Sequence, residues 1–404
     1  MERQYKESGI EWIGQIPKEW PMKRLCSQLI EIREKNYPIK TDKVLSLTIK
    51  DGVIPYEEKG DVGNKSKENH EEYKLAYPNT IVLNSMNILI GAVGISNYYG
   101  CVSPVYYVFK NKDEADLRYL NYIMSSNPFQ KYLRKYANGI LEIRLRVSAE
   151  DILKRHIPAP ELHIQKQIAD YLDVKCGEID SLIGLQEQMI EKLKAYKQSV
   201  ITEAVTKGLN PNAKLVPSGI DWIGEIPEGW KIAQMKRFLT FQNGQDYKAI
   251  ETKESEGFPV YGSGGVFAYA AKYMYNGESV LFGRKGTVNK PLYVNCCFWT
   301  VDTMYYTIPS EACNCKFMYY VATTLPYDKY STSTALPSMT QSILGNLMIT
   351  IPPIAEQQAI ASFLDKKCSE IDKLIDVKQL KIEKLKDYKK SVIYEAVTGK
   401  IIIE

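Results

Sequence analysis

The chain has 404 residues, 45% of them apolar and 25% charged, a balance that supplies folded cores and excludes a disordered polypeptide. A formal charge of +4, from 52 basic and 48 acidic side chains, is too mild to argue for a polyanion partner by itself, so any nucleic-acid reading must rest on local clusters. Eight cysteines without a signal-peptide pattern, and no apolar run long enough to span a bilayer, point to a soluble cytoplasmic protein that makes no membrane contact.

In chain order, the first signal is "EWIGQIPKEW" (11–20), which returns as "DWIGEIPEGW" (221–230) with Trp12, Gly14, Pro17 and Trp20 becoming Trp222, Gly224, Pro227 and Trp230. Large rings and prolines in a repeated leader read as packing anchors. Stretches rich in Val, Ile, Tyr and Phe and bounded by Gly, Asn and Pro predict strands at 80–91, 101–110, 278–287 and 291–308. Short helices are predicted at 116–126 and 316–325. The segment 206–219, with two prolines and two glycines, reads as a linker.

A second duplication sets the organisation. "EKLKAYKQSVITEAVT" (191–206) recurs as "EKLKDYKKSVIYEAVT" (383–398), with 13 of 16 positions identical at an offset of 192. Ile168, Leu172, Ile179, Leu182, Met189, Leu193, Tyr196 and Val200 fall on a heptad seam, as do Ile360, Leu364, Ile371, Leu374, Leu385, Tyr388 and Val392. Lys175, Gln186, Lys367, Lys378 and Lys381 are polar positions in that seam. Gly177 and Gly184 mark 173–184 as a place where the first helix could break.

Such long one-striped helices need partners, and the chain supplies one for each. The expected architecture is α+β: two mixed α/β domains separated by a pair of long antiparallel coiled-coil helices, with pseudo-twofold symmetry. The boundaries are 1–157 for the first domain, 158–207 for the first helical region, 208–351 for linker and second domain, and 352–404 for the second helical region.

No catalytic set emerges. "VYGSGG" (260–265) is followed by aromatic strand-like sequence rather than the helix of a dinucleotide site, and "GRKGT" lacks P-loop spacing. Cys296, Cys297, Cys313 and Cys315 lack zinc-knuckle gaps, so no metal is expected. The nearest string to the motif of an amino-methyltransferase acting on DNA, "NPFQ" (127–130), lacks its second proline. Two heads without catalytic groups suit recognition of a repeating object such as duplex DNA. Candidate contacts in the first domain are Arg134, Lys135, Arg144 and Arg146, within a basic stretch interleaved with Tyr132 and Tyr136. In the second they are Gln245, Tyr247, Lys248, Ser263, Arg284, Lys285, Lys290, Ser331 and Thr332, on turns where a rigid scaffold presents contact groups. The competing readings are a coiled-coil adaptor with two heads that do not bind DNA, and a self-contained DNA methyltransferase.

Two variable domains alternating with two repeated helices, the junctions "IPAPELHIQKQIADYLD" (157–173) and "IPPIAEQQAIASFLD" (351–365), and the "SGIEWIGQIP" and "SGIDWIGEIP" leaders together resemble the specificity subunit of type I restriction–modification systems, over essentially the full chain. The first junction departs from the second, with Ala159-Pro160 and His163-Ile164 where the second has Pro352-Pro353 and Glu356-Gln357. The resemblance implies a non-catalytic subunit. Each target-recognition domain would read one half of a bipartite site on double-stranded DNA, while the helices set the gap and dock two modification subunits. S-adenosylmethionine would then bind on those partners, and ATP on a motor-nuclease restriction subunit. "FGRKGT", "TALPSMTQ" (334–341), "NSMN" (84–87) and "GCVSPVYYV" (100–108) look like recurring target-domain elements.

Overall fold

The protein is described from a computed structural model covering residues 3–49, 51–60, 69–86, 89, 92–138, 145–331 and 337–403. It divides into two compact units, Met1–Gln186 with Leu380–Glu404, and Glu187–Gln379. Each unit takes one mixed domain plus one half of each long helix.

In the first unit a four-stranded antiparallel sheet runs in the order Leu29–Ile32, Tyr106–Asn111, Thr80–Asn84, Val93–Ser96. The strand expected over 101–110 is two, Gly100–Val102 and Tyr106–Asn111, because the Ser103-Pro104 turn interrupts the run. The expected helix forms at Leu117–Ser125, capped by Asp116, whose carboxylate accepts from the amides of Arg118 and Tyr119. Leu25, Leu29, Ile81, Leu83, Phe109, Tyr119, Leu120, Ile123 and Phe129 form the core beneath it.

The second unit has a seven-stranded sheet in the order Leu239–Asn243, Met304–Pro309, Tyr275–Gly283, Leu292–Thr300, Phe258–Gly262, Gly265–Ala270, Glu251–Thr252. All pairings are antiparallel except that of Phe258–Gly262 with Leu292–Thr300. "VYGSGG" is therefore the turn of a strand hairpin. The stretch 291–308 is two strands broken at 301–303, and Cys313 and Cys315 pack in the apolar core. The expected short helix is Cys315–Ala322, capped by Asn314. The supposed linker is shorter than 206–219, since Leu215–Pro217 already pairs with Glu225–Pro227 as the leader hairpin of this unit.

The long helices are Leu162–Lys207 and Ile354–Val397, of 46 and 44 residues. The first runs unbroken through 173–184; a Cβ at Gly177 or Gly184 would meet nothing within 4 Å, so no close packing requires either glycine and their cost is one of propensity. Within the first unit, Lys389 Nζ reaches Asp180 at 2.6 Å, while the Val397 carbonyl lies beside Pro158, both accepting from the Tyr119 hydroxyl. The helix halves therefore run antiparallel there. In the second unit Lys197 Nζ reaches Asp372 at 2.7 Å, and Thr350 Oγ1 donates to the Val205 carbonyl at 2.6 Å. Each residue has exchanged helices with its counterpart 192 positions away, as the duplication led one to expect.

The seam holds at Ile168, Leu172, Ile179, Leu193 and Val200, and at Ile360, Leu364, Ile371, Leu385 and Val392, all buried or half-buried. It fails at Leu182, Met189, Tyr196, Leu374 and Tyr388, which are 44 to 52% exposed. The actual seam runs Ile179, Ile183, Gln186, Ile190, Leu193, Lys197, and again 192 residues on. It keeps strict heptad spacing by admitting Gln186, Lys378, Lys197 and Lys389, whereas choosing the most apolar neighbour slips one residue outward. Of the other polar positions, Lys175 and Lys367 are half-buried and Lys381 is exposed.

Candidate nucleic-acid interface

The leader peptide latches a helix end. Gly14 (φ 65°) and Gly224 (φ 72°) make the tight return of each hairpin, a backbone region glycine enters without strain. This brings Pro17 and Trp20 so close to Gly399 that a Cβ there would lie 2.6 Å from the proline ring. In the second unit Pro227 and Trp230 lie against Gly208, and Trp230 Nε1 donates to Glu356 at 3.0 Å. Trp20 and Trp230 are buried, so the anchor reading holds.

A second joint fixes each domain's short helix to its long one. In the first unit Gln165 accepts from the Asp116 amide (3.0 Å) and donates to the carbonyls of Pro160 (2.8 Å) and Glu114 (3.4 Å). In the second, Gln357 accepts from the Asn314 amide (2.8 Å) and donates to Pro352 (2.9 Å) and Ala312 (3.4 Å). Two turns further on, Asp173 accepts from Tyr122 (2.7 Å) and Arg118 (2.6 Å), and Asp365 accepts from Tyr320 (2.8 Å) and Lys316 (2.6 Å). Burial, and then the bond to the carboxylate, pushes both phenols well above their ordinary range. The first junction does not lack the glutamine. Its counterpart of Gln357 is Gln165, because the offset is 192 and Pro160 answers to Pro352.

At one end of the seven-stranded sheet several predicted contact residues come together. The Gln245 amide donates to Thr300 O, and its carbonyl accepts from Trp299 Nε1, leaving the side chain exposed. The Val301 amide and Thr300 Oγ1 both donate to Tyr261 O, one residue before the glycine turn that holds Ser263. Arg284 is pinned through its amide to Thr303 O and its carbonyl to the Met339 amide, while its guanidinium donates to Asp302 O at 3.4 Å and stands 6.0 Å from the Tyr305 ring. Lys285 bridges Ser338. Tyr247 is buried, and Lys248 lies over its ring and near Glu251. Lys290 is exposed on the next turn, Ser331 directly follows the short helix Tyr327–Tyr330, and Thr332 lies outside the described residues.

Residues 17–195 and 227–387 match the profile of the type I restriction modification DNA specificity domain. The chain belongs to this family. Specificity chains similar to it over nearly their whole length include the putative MjaX specificity subunit of Methanocaldococcus jannaschii, 26% identical over 99% of this chain and 98% of that one. The MjaVIII specificity subunit of the same organism is 24% identical over 99% and 97%. Among solved structures, a chain from work on complex assembly and conformational transition of the type I system superposes with a TM-score of 0.76 at 14% identity, covering 96% of this chain and 99% of that one. The HsdS subunit of Thermoanaerobacter tengcongensis gives 0.53 at 14% identity, over 98% and 100%. The fold is thus that of a DNA specificity subunit, a sequence-recognition component of type I restriction–modification. Among the described residues no helix is long and apolar enough to cross a membrane.

In the first unit of the specificity chain the described residues of the basic stretch belong to several elements. These are the helix Asn127–Leu133, the turn Arg134–Tyr136 and the helix Ala149–Leu153. Lys135 pairs with Glu11 at 2.6 Å, Arg146 reaches Met86 Sδ at 3.3 Å and pairs its backbone with Asn138, and Arg155 stacks over Tyr136 at 3.6 Å. Arg134 sits in the turn. Arg144 and Asn87 lie outside the described residues. Sequence reasoning missed Gln165, Gln357, Asp173 and Asp365. The offset of 192 aligns both pairs and could have exposed them, since identical polar residues at a repeated helix start have a structural partner to meet.

Proposed function

We propose that each mixed domain reads one half of a split DNA site, and that the helical pair sets the separation of the halves and docks two modification subunits. The observation that carries this reading is the repeated mount: the same glutamine, carboxylate and tryptophan joints seat both domains, while the sheets they carry differ in strand number and loops. A repeated seat beneath two unlike reading edges suits two different half-sites. Gln245, Ser263, Arg284 and Lys285 are the proposed contact groups of the second domain, with Arg284 suited to guanine or phosphate and Gln245 to adenine. Arg134, Lys135, Arg144 and Arg146 take that role in the first, by local charge.

Partner docking has a matching feature. Leu182, Leu185 and Tyr388 in the first unit, and Leu374, Val377 and Tyr196 in the second, are 44 to 62% exposed and correspond residue by residue at the offset of 192. In each set two residues occupy the heptad position flanking the seam, which places them on one side of an antiparallel pair. Exposed apolar residues kept twice in register suit two copies of one partner. The modification subunits would bring S-adenosylmethionine, and a restriction subunit would bring ATP, all working in the cytoplasm.

The decisive experiment purifies the chain alone and with its modification subunits, titrates duplex binding over salt, and maps methylated adenine in a host carrying the system. A split methylated motif, with affinity falling steeply as salt rises, is the expected result. Methyl transfer by the chain alone, or no affinity for duplex in either preparation, would overturn it.

A further inference from the structure

The hairpin of Phe258–Gly262 and Gly265–Ala270 carries an aromatic ring that its core does not cover. Val260 pairs with Ala268 but Tyr261 pairs with Val266, so the ladder slips by one and Phe267 is the bulged residue. A bulge re-aims a side chain that strict alternation would have pointed elsewhere. Phe267 is 56% exposed and Val266 beside it 43%. The ring is nonetheless braced: it meets the buried Tyr247 edge to face at 5.4 Å and 89°, and it lies across Gly262, where a Cβ would come within 3.2 Å of its Cε1.

The polar groups at this strand end give the ring its context. Tyr261, next to Gly262, accepts from Val301 and Thr300; Gln245 hangs from Thr300; Arg284 donates to Asp302. On the outer edge of the hairpin the carboxylates are engaged, Glu251 near Lys248 and Glu254 by the Tyr269 hydroxyl. The hairpin that carries the ring, the Gln245 backbone and Arg284 are thus each tied by hydrogen bonds to residues 300–303.

We propose that Phe267 is a specificity-determining residue that packs on the C5-methyl group of one thymine in the major groove. The proposal rests on the reading of this domain as a DNA half-site reader. A phenyl ring has no donor or acceptor for the hydrogen-bonding code, and the thymine methyl is the apolar group that groove displays. A ring packed against Gly262 and held edge to face by Tyr247 is a fixed apolar contact group. A wedge between base steps needs a side chain standing free of its own hairpin.

The test takes the split motif from adenine-methylation mapping of the wild-type complex and replaces each of its thymines in turn by deoxyuridine, which removes only the methyl. Competition binding with the wild-type complex should lose about fourfold at one thymine. Phe267→Ala should lose a similar factor on thymine DNA and nothing more on the uracil duplex, while Phe267→Leu keeps part of the preference. The proposal is overturned if no thymine substitution weakens wild-type binding, or if Phe267→Ala keeps the full methyl preference. It is equally overturned if Phe267→Ala weakens both duplexes alike and abolishes base unstacking seen by 2-aminopurine fluorescence, the behaviour of a wedge. The uracil series on unaltered protein does not depend on the variant folding. A complex that marks no split motif would instead refute the DNA-recognition reading itself.

Discussion

Replacing Gln357 by alanine tests the mounting of the second domain directly. The side chain is 1% exposed, and its amide makes two short bonds, to the Asn314 amide at 2.8 Å and the Pro352 carbonyl at 2.9 Å, with a longer one to Ala312 at 3.4 Å. Truncation leaves a buried N–H at the start of the helix Cys315–Ala322 and a buried carbonyl ahead of the second long helix. At roughly 1 to 3 kcal/mol for each unsatisfied group, the expected loss is about 3 kcal/mol. For a unit of this size that corresponds to a fall of about 6 to 12 °C in Tm, read by scanning calorimetry. Hydrogen exchange at the Asn314 amide should accelerate by a larger factor than at amides of the sheet. Gln165→Ala supplies an internal control, since Gln165 makes the same three bonds at 3.0, 2.8 and 3.4 Å in the first unit and should show a loss of similar size. Gln357→Glu keeps the acceptor but faces Pro352 with an oxygen. It should be as damaging at neutral pH and partly recover as pH is lowered, when the protonated carboxyl can donate. Tm values for both alanine variants within about 1 °C of wild type would refute the claim that these glutamines hold the domains.

Four further outcomes are expected. Asp180→Lys should destabilise the first unit and Asp180→Lys with Lys389→Asp should recover most of the loss, giving a coupling of about 0.5 to 1 kcal/mol by thermal double-mutant cycle, the modest value of a partly solvated pair. Leu182→Glu with Tyr388→Glu, or Leu374→Glu with Tyr196→Glu, should leave Tm nearly unchanged, because these residues are about half exposed, yet each pair should cost one of two modification subunits in a native mass measurement. The Tyr122 phenol is held above its ordinary value by burial and by its bond to Asp173, so its contribution is fully present below about pH 10 and is lost as pH rises toward the folded value. Tyr122→Phe should flatten the fall of Tm above that pH. Arg284→Ala should weaken duplex binding and reduce the salt slope by about 1 if the guanidinium meets a phosphate, or relax one base of the motif at unchanged slope if it meets guanine.

What the sequence alone determined was everything that repeats. The offset of 192, the leaders around Trp12 and Trp222, and the heptad spacing announced two mixed domains and two long helices, because a duplicated unit must satisfy the same packing twice. Half the seam was legible as well: Ile168, Leu172 and Ile179 sit inward as apolar periodicity predicts. The other half was not, since Leu182 and Tyr196 are apolar yet exposed while Gln186 and Lys197 keep the strict spacing. Which face of a helix is buried depends on what lies against it, and hydrophobicity cannot name an absent neighbour. The same limit applied to the sites. Gln245, Ser263 and Arg284 are separated along the chain and are gathered at one strand end only because strand order carries Tyr261 beside Thr300 and the Asp302 turn beside Arg284. Phe267 was hidden altogether, because a bulge is a property of two strands in register and its exposure is decided by the partner strand. Local chemistry repeats with the sequence, but contacts between distant segments exist only once the chain has folded.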